Sequence, residues 1–181
     1  MNKKIVIITG SPRKKGNSFA MTDAFIRSAK QKGHTITRFD AAMMNVGGCH
    51  ACESCFKTGK ACTFHDDFNT IAAAIKEADA VVFTTPVYWY SFPSQIKAVI
   101  DKLFSFYNAR IDISGKECAL IACCEENDVS VMDGVRIPLE RSAALLKWDM
   151  IGEVMIPAVV NEGDIDKTDG YRQAAALAEK F

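Results

Sequence analysis

Four cysteines within a span of fourteen residues could do metal or redox chemistry in this 181-residue sequence. Cys49, Cys52, Cys55 and Cys62 follow the pattern C-x2-C-x2-C-x6-C, whose short spacings let successive thiolates turn toward one centre. This layout is typical of a [4Fe–4S] cluster, whereas zinc sites more often show two separated C-x2-C pairs. Reduced thiols or a thiol–disulfide couple are the alternative. The total of seven cysteines is odd and unevenly spread, which argues against a secreted disulfide framework.

A second candidate site follows the first apolar run of the chain. Residues 10–18 (GSPRKKGNS) join that run to a predicted helix, so the loop offers free backbone N–H groups and the positive end of a helix dipole. These features suit a phosphate group, although a capped turn with solvated basic residues is the alternative. The candidate ligands are Ser11, Arg13, Gly16, Asn17 and Ser18. Because neither the Walker A pattern nor G-x-G-x-x-G is present, a monophosphate such as that of FMN fits best.

Consecutive aromatic residues mark a third candidate site. Residues 84–93 (TTPVYWYSFP) place flat apolar side chains and rigid backbone amides directly after a predicted buried strand. A flavin ring needs such a face to pack on and donors for its polar edge. The candidate ring-binding residues are Pro86, Val87, Tyr88, Trp89 and Tyr90. The alternative is that these rings fill the core or a subunit interface.

Hydrophobic periodicity predicts five strands that alternate with helices. The predicted strands cover residues 4–9, 34–40, 79–84, 117–123 and 151–160. The first predicted helix covers 18–31, and the second follows the capping residues Asp66 and Asp67. The remaining helices are predicted around 96–104, over 131–148 and over 171–180. Five β–α units with right-handed crossovers form a doubly wound parallel sheet with helices on both faces, and short chains favour the order 2-1-3-4-5. Ligands then bind at the carboxyl ends of the strands, where the loops after strands one, three and four meet.

Composition limits the classes of function. Lys plus Arg and Asp plus Glu both number 22, so the chain lacks the basic footprint of a nucleic-acid-binding protein. No apolar run is long enough to span a membrane or to form a signal-peptide core, so we expect no membrane partner and a cytoplasmic location. The length predicts one domain over residues 1–181, with a cysteine-rich loop at about 45–65.

The segments GSPRKKGNS and TPVYWYSFPSQIKAVIDKLF resemble the flavodoxin-like NAD(P)H-dependent FMN reductase family, particularly its members with the compact cysteine motif of iron–sulfur flavoproteins. The resemblance covers about the first 110 residues. It implies a flavodoxin-like fold, with FMN held by its phosphate in the Ser11–Ser18 loop and its ring over Pro86–Tyr90. It also implies that the loop after strand four, with Cys124 and Glu125, touches the ring, and that the protein is a homodimer or homotetramer.

We therefore predict an FMN-dependent NAD(P)H oxidoreductase that passes electrons to a quinone-, azo-, nitro- or flavin-type acceptor. Backbone N–H groups of residues 87–90 are expected to stabilise the reduced ring, and no side chain is required as a general acid. The alternative is an iron–sulfur flavoprotein that relays single electrons between FMN and a protein partner through a [4Fe–4S] cluster. A thiol-based sensor without flavin is a third class.

Overall fold

A five-stranded parallel sheet forms the centre of the protein, seen here in a computed structural model that describes residues 2–181. The strands are β1 (Lys4–Thr9), β2 (Thr35–Asp40), β3 (Ala80–Pro86), β4 (Glu117–Cys123) and β5 (Asp149–Ile156). They are ordered β2-β1-β3-β4-β5, and every neighbouring pair is parallel. The predicted strand order is therefore confirmed.

Helices cover both faces of this sheet, as predicted. They are α1 (Asn17–Gln31), α2 (Phe68–Glu77), α3 (Ser94–Lys102), α4 (Phe104–Ala109), α5 (Asp133–Leu146) and α6 (Gly170–Ala178). On one face, α1 and α6 bury residues such as Phe25 and Leu177 against the sheet. On the other face, α2, α3, α4 and α5 form a second core that includes Phe68 and Leu139. None of the helices described combines the length and apolarity that crossing a membrane requires.

Two predicted boundaries near the candidate sites are wrong. The fifth strand ends at Ile156 rather than at residue 160, because Pro157 has no N–H for the ladder and Ala158 adopts a left-handed conformation with φ of 57°. The third strand continues to Pro86 instead of ending at residue 84. As a result, residues 157–162 form a loop at the same edge of the sheet as the predicted flavin-binding segments.

The segment 131–148, predicted as one helix, belongs to two helical elements in the structure. A short 3-10 helix covers Val129–Met132, and α5 then runs to Leu146, where Lys147 turns left-handed with φ of 56°. Pro138 lies inside α5 without ending it. Its missing N–H leaves the carbonyl group four residues earlier, that of Gly134, without its helical donor.

Candidate functional site

A cavity of about 880 Å³ opens at the carboxyl ends of β1, β3 and β4. That volume lies within the range of cofactor pockets, and the position matches the ligand-binding edge of doubly wound sheets. Its lining comprises Ser11, Arg13–Ser18, Pro86–Trp89, Cys123–Glu125 and Val159–Glu162. Every residue predicted to bind the cofactor lies on this wall except Tyr90, which is on the turn beside it. The three predicted segments are thus brought together around one space.

The loop after β1 is a compact turn that leads into an uncapped helix. Gly10 donates its N–H to the carbonyl oxygen of Thr84 at 2.8 Å, and Gly16 donates to that of Arg13 at 2.9 Å. The Ser11 hydroxyl oxygen accepts the N–H of Arg13 at 3.1 Å. No side chain caps α1 at Gly16, so the first N–H groups of the helix are left for a ligand. The loop can therefore bind an anion through its backbone.

The side chain of Asn17, a predicted phosphate ligand, is hydrogen-bonded within the protein. Its side-chain nitrogen donates to the carbonyl oxygen of Asn161 at 2.9 Å, and its side-chain oxygen accepts the N–H of Ile165 at 3.2 Å. The side chain therefore ties the start of α1 to the loop after β5. Only the backbone N–H of Asn17 is left to contact a phosphate.

The aromatic segment after β3 forms a two-residue turn with unusual backbone conformations. Tyr88 and Ser91 exchange backbone hydrogen bonds of 2.9 and 3.0 Å, while Trp89 and Tyr90 between them have φ values of 48° and 60°. Positive φ at both central positions defines the type I′ turn, which favours Asn-Gly. For each L-residue with a bulky side chain this conformation costs roughly 1–2 kcal/mol. The turn holds Trp89 out into solvent, with 95% of its surface exposed.

The expectation that all N–H groups of residues 87–90 face the ligand is wrong for two of them. Val87 donates its N–H to the carbonyl oxygen of Cys123 at 2.9 Å, and Tyr88 donates to that of Ser91. In the described part of the chain, the N–H groups of Trp89 and Tyr90 have no backbone acceptor. These two N–H groups are the ones that the turn leaves for a polar ligand edge.

Gly134 supports this turn from the first turn of α5, a role that sequence reasoning missed. A Cβ atom at this position would lie 1.6 Å from the carbonyl oxygen of Tyr90, so only glycine permits the observed approach. The Gly134 carbonyl, which Pro138 leaves without a helical donor, accepts the Ser91 hydroxyl at 3.4 Å. An isolated glycine four residues before a proline in a helical pattern was the available signal.

Two neutral thiols complete the wall at the end of β4. Burial raises the pKa of Cys123 to about 12. Burial and the nearby carboxylate of Glu126 also raise the pKa of Cys124 above its usual value. Both thiols are therefore protonated at neutral pH, and this side of the cavity carries no thiolate charge.

The loop after β5 adds a fourth segment that sequence reasoning had assigned to a strand. Asp164 shapes it, because one carboxylate oxygen accepts the N–H groups of Val160 at 3.1 Å and Asn161 at 2.7 Å. The other oxygen pairs with Lys167 at 2.9 Å. These contacts lower the pKa of Asp164 from its usual value of 3.8 to about 2.

Asp164→Asn is expected to remove a pH-dependent part of the stability. With its folded-state pKa below the unfolded value, the carboxylate stabilises the fold above about pH 4 and loses this contribution as the pH falls toward 2. Urea unfolding of both proteins between pH 3 and 7 should show a stability gap that is largest near neutrality and narrows in acid. A gap that is constant with pH would contradict this role for the carboxylate.

The four clustered cysteines line a separate, small cavity of about 20 Å³, together with Lys102, Phe104 and Ser105. Cys49 and Cys52 are exposed, and Cys55 and Cys62 are half-buried. This cavity shares no lining residue with the larger one. Phe104, at the end of the helix predicted around 96–104, is 39% exposed beside it.

Neighbouring helices anchor the cysteine loop. The ring of Phe56 packs on that of Phe106 with centroids 5.6 Å apart, and the N–H of Cys62 donates to the Asn69 side chain at 2.8 Å. At the start of α2, the Asp66 carboxylate accepts the Phe68 N–H at 3.1 Å. Asp67, also predicted to cap this helix, instead accepts the N–H of Asn45 at 2.7 Å.

The backbone between the cysteines contains three residues in the left-handed conformation. Ala51, Glu53 and Phe56 have φ values of 51°, 53° and 60°, and such left-handed residues among turns create the N–H concavities found at iron–sulfur sites. Within residues 2–181, no three His, Cys, Asp or Glu side chains are close enough to hold a single metal ion. A multi-iron cluster would require the cavity to widen, which the surface position of Cys49 and Cys52 permits.

Comparisons with known proteins show the family to which the chain is related. The family model described as NADPH-dependent FMN reductase matches residues 3–129. An iron–sulfur flavoprotein of Archaeoglobus fulgidus is 28% identical over 190 residues, which cover 98% of this chain and 82% of the relative. Several other curated relatives with that name match over only about half of their own length.

Solved structures show the same fold. An NAD(P)H:quinone oxidoreductase from Methanothermobacter marburgensis superposes with a TM-score of 0.76 at 17% identity, covering 98% of this chain and 95% of its own. An FMN-dependent NADH-azoreductase from Bacillus anthracis, solved in complex with FMN, superposes with a TM-score of 0.74 at 17% identity and covers 98% of both chains.

Proposed function

The chain belongs to the NADPH-dependent FMN reductase family, and we propose that it is an FMN-dependent oxidoreductase that accepts electrons from a nicotinamide. The observation that carries this proposal is the shared cavity of about 880 Å³ between the uncapped start of α1 and the aromatic turn. One wall offers N–H groups for a phosphate, and the other offers apolar surface and free N–H groups for a ring. The residues present fit FMN.

The chain's own residues would bind and orient the cofactor. Arg13 and the N–H groups at the start of α1 would hold the phosphate, and the N–H groups of Trp89 and Tyr90 would contact a polar edge of the ring. When bound, FMN supplies the hydride-transfer chemistry. The thiols of Cys123 and Cys124 are neutral and add no thiolate charge beside the ring, and the protein's own contribution is to position the cofactor.

Small electron acceptors would bind at the exposed side of the aromatic turn. Trp89 and Tyr90 offer flat apolar surface there, which suits quinone- and azo-type acceptors, and nitro- and flavin-type acceptors share this planarity. Structural neighbours that are named as quinone and azo reductases support the first two classes.

Anaerobic mixing of the FMN-loaded protein with NADPH or NADH tests this function. The flavin absorbance should bleach with at least one nicotinamide and return when a quinone or an azo dye is added. If neither nicotinamide bleaches a flavin that dithionite does reduce, the reductase assignment is wrong.

A second candidate is an electron carrier with a [4Fe–4S] cluster, because all four clustered cysteines face one cavity and a relative aligned over 98% of the chain is named an iron–sulfur flavoprotein. The thiolates of Cys49, Cys52, Cys55 and Cys62 would hold the cluster, which would exchange single electrons with a protein partner. Iron and sulfide in proportion to these ligands, measured on anaerobically purified protein, would support it.

We also propose that the exposed aromatic turn contacts a second copy in a homodimer or homotetramer. Trp89 is almost fully exposed in the single chain, and Tyr90 is 59% exposed. Large aromatic side chains of this kind are enriched at protein interfaces.

A further inference from the structure

Two hydrogen-bond donors, one at the end of α3 and one in α4, lie against the cysteine loop. Lys102 and Ser105 are three residues apart, and Leu103 between the two helices keeps a right-handed helical conformation, so the two side chains share one face. Lys102 and Ser105 line the cysteine cavity. We refer to these two residues as the donor stripe.

Ser105 supplies the observation that points to a missing ligand. Its side chain is 3% exposed, and its hydroxyl is the one buried polar side-chain group in residues 2–181 that has no hydrogen-bond partner. Leaving a buried hydroxyl unpaired is costly, and native proteins rarely do so without a reason. Because Ser105 lines the cysteine cavity, an acceptor placed there would remove this cost.

Lys102 adds a buried positive charge to the same wall. Its side chain is 4% exposed and forms an ion pair with Asp66. The carboxylate of Asp66 also accepts the N–H groups of Phe68 and Gly47, at 3.1 Å each, so its negative charge is shared among several donors. An ammonium group has three N–H donors, and donors that Asp66 does not use remain for another acceptor.

We propose that the donor stripe hydrogen-bonds the sulfur atoms of a [4Fe–4S] cluster held by the four cysteines and makes that cluster easier to reduce. The proposal rests on the electron-carrier candidate above. A cluster with four thiolate ligands is anionic and rich in sulfur acceptors, Lys102 can only donate, and the Ser105 hydroxyl has an O–H donor without a partner. Reduction adds one electron and thus one negative charge, which nearby donors and a positive charge stabilise.

Ser105→Ala tests this role in the anaerobically reconstituted full chain. Redox titration followed by electron paramagnetic resonance should show that the equilibrium constant for cluster reduction falls about tenfold, a shift of about 59 mV for one electron. Ser94→Ala, at the exposed start of α3, is the matched control and should leave the potential unchanged. Without the cluster, Ser105→Ala should be at least as stable as the parent, because the orphaned hydroxyl is gone.

Either of two results would overturn the inference: an unchanged potential in Ser105→Ala, or wild-type protein that takes up no iron and sulfide on reconstitution. If Ser105→Ala fails to fold, Lys102→Gln, which keeps a side-chain donor for Asp66 but removes the positive charge, gives the same test at the other end of the stripe. FMN content, measured on the same samples after release of the flavin, distinguishes failure of this inference from failure of the flavin proposal.

Discussion

Gly134→Ala is expected to weaken FMN binding by more than about tenfold, the equivalent of about 1.4 kcal/mol. The added Cβ would fall 1.6 Å from the carbonyl oxygen of Tyr90, so either the aromatic turn or the start of α5 must move. The turn is the element that yields, because α5 is held by buried residues such as Val135 and Leu139. Titration of the apoprotein with FMN, with circular dichroism to check the fold, measures the effect.

Gly48→Ala is the control for this substitution, since no atom lies within 4 Å of a Cβ at that exposed position. It should bind FMN as the parent does. A folded Gly134→Ala protein with parental affinity for FMN would show that the Tyr90 turn does not contribute to the site.

Replacing Trp89 and Tyr90 together by Asn and Gly is expected to change stability and activity in opposite directions. The Asn-Gly pair suits the type I′ turn, and Trp89, being 95% exposed in the single chain, has almost no packing to lose within it. Unfolding is therefore compared at concentrations at which both proteins are monomeric. We expect the free energy of unfolding to rise by about 1 kcal/mol, which is the relieved strain less the flexibility that glycine adds to the unfolded chain. Flavin affinity and the rate of acceptor reduction should fall about tenfold or more, because the ring-facing surface is removed.

Lys147→Gly separates these two effects. Lys147 is another non-glycine residue with positive φ, at the end of α5 and away from the large cavity. The Lys147→Gly protein should gain stability because the strain of a positive φ is relieved, while flavin binding and turnover stay unchanged. A double Trp89/Tyr90 variant that is less stable than the parent, or equally active, would contradict the view that the chain keeps a strained turn for function.

Local patterns in the sequence predicted the sheet order and the segments that meet at its edge. β-branched runs identified the strands, and the loop 10–18 and the aromatics 86–90 each carry their signal within a few residues. The glycine four residues before Pro138 was the only local signal for the support from Gly134, and its partner could not be predicted, because the role depends on an approach between α5 and a turn more than forty residues earlier. The loop Val159–Glu162 was missed because its apolar residues continue the pattern of β5, and only the backbone at Pro157 and Ala158 ends the strand.

The unpaired hydroxyl of Ser105 could not be predicted from the sequence. A serine in an amphipathic segment ordinarily bonds the carbonyl of the preceding turn or faces solvent. Only the packing of α4 against the cysteine loop shows that this one does neither.

Parallel titration of the apoprotein with FMN and with riboflavin, which lacks the phosphate, tests the central claim most directly. If the uncapped start of α1 binds the phosphate, FMN should bind at micromolar concentration or tighter, and riboflavin about 100-fold more weakly, because several charge-assisted hydrogen bonds are lost. Equal affinity for the two flavins, or no binding of either, would contradict the proposed site.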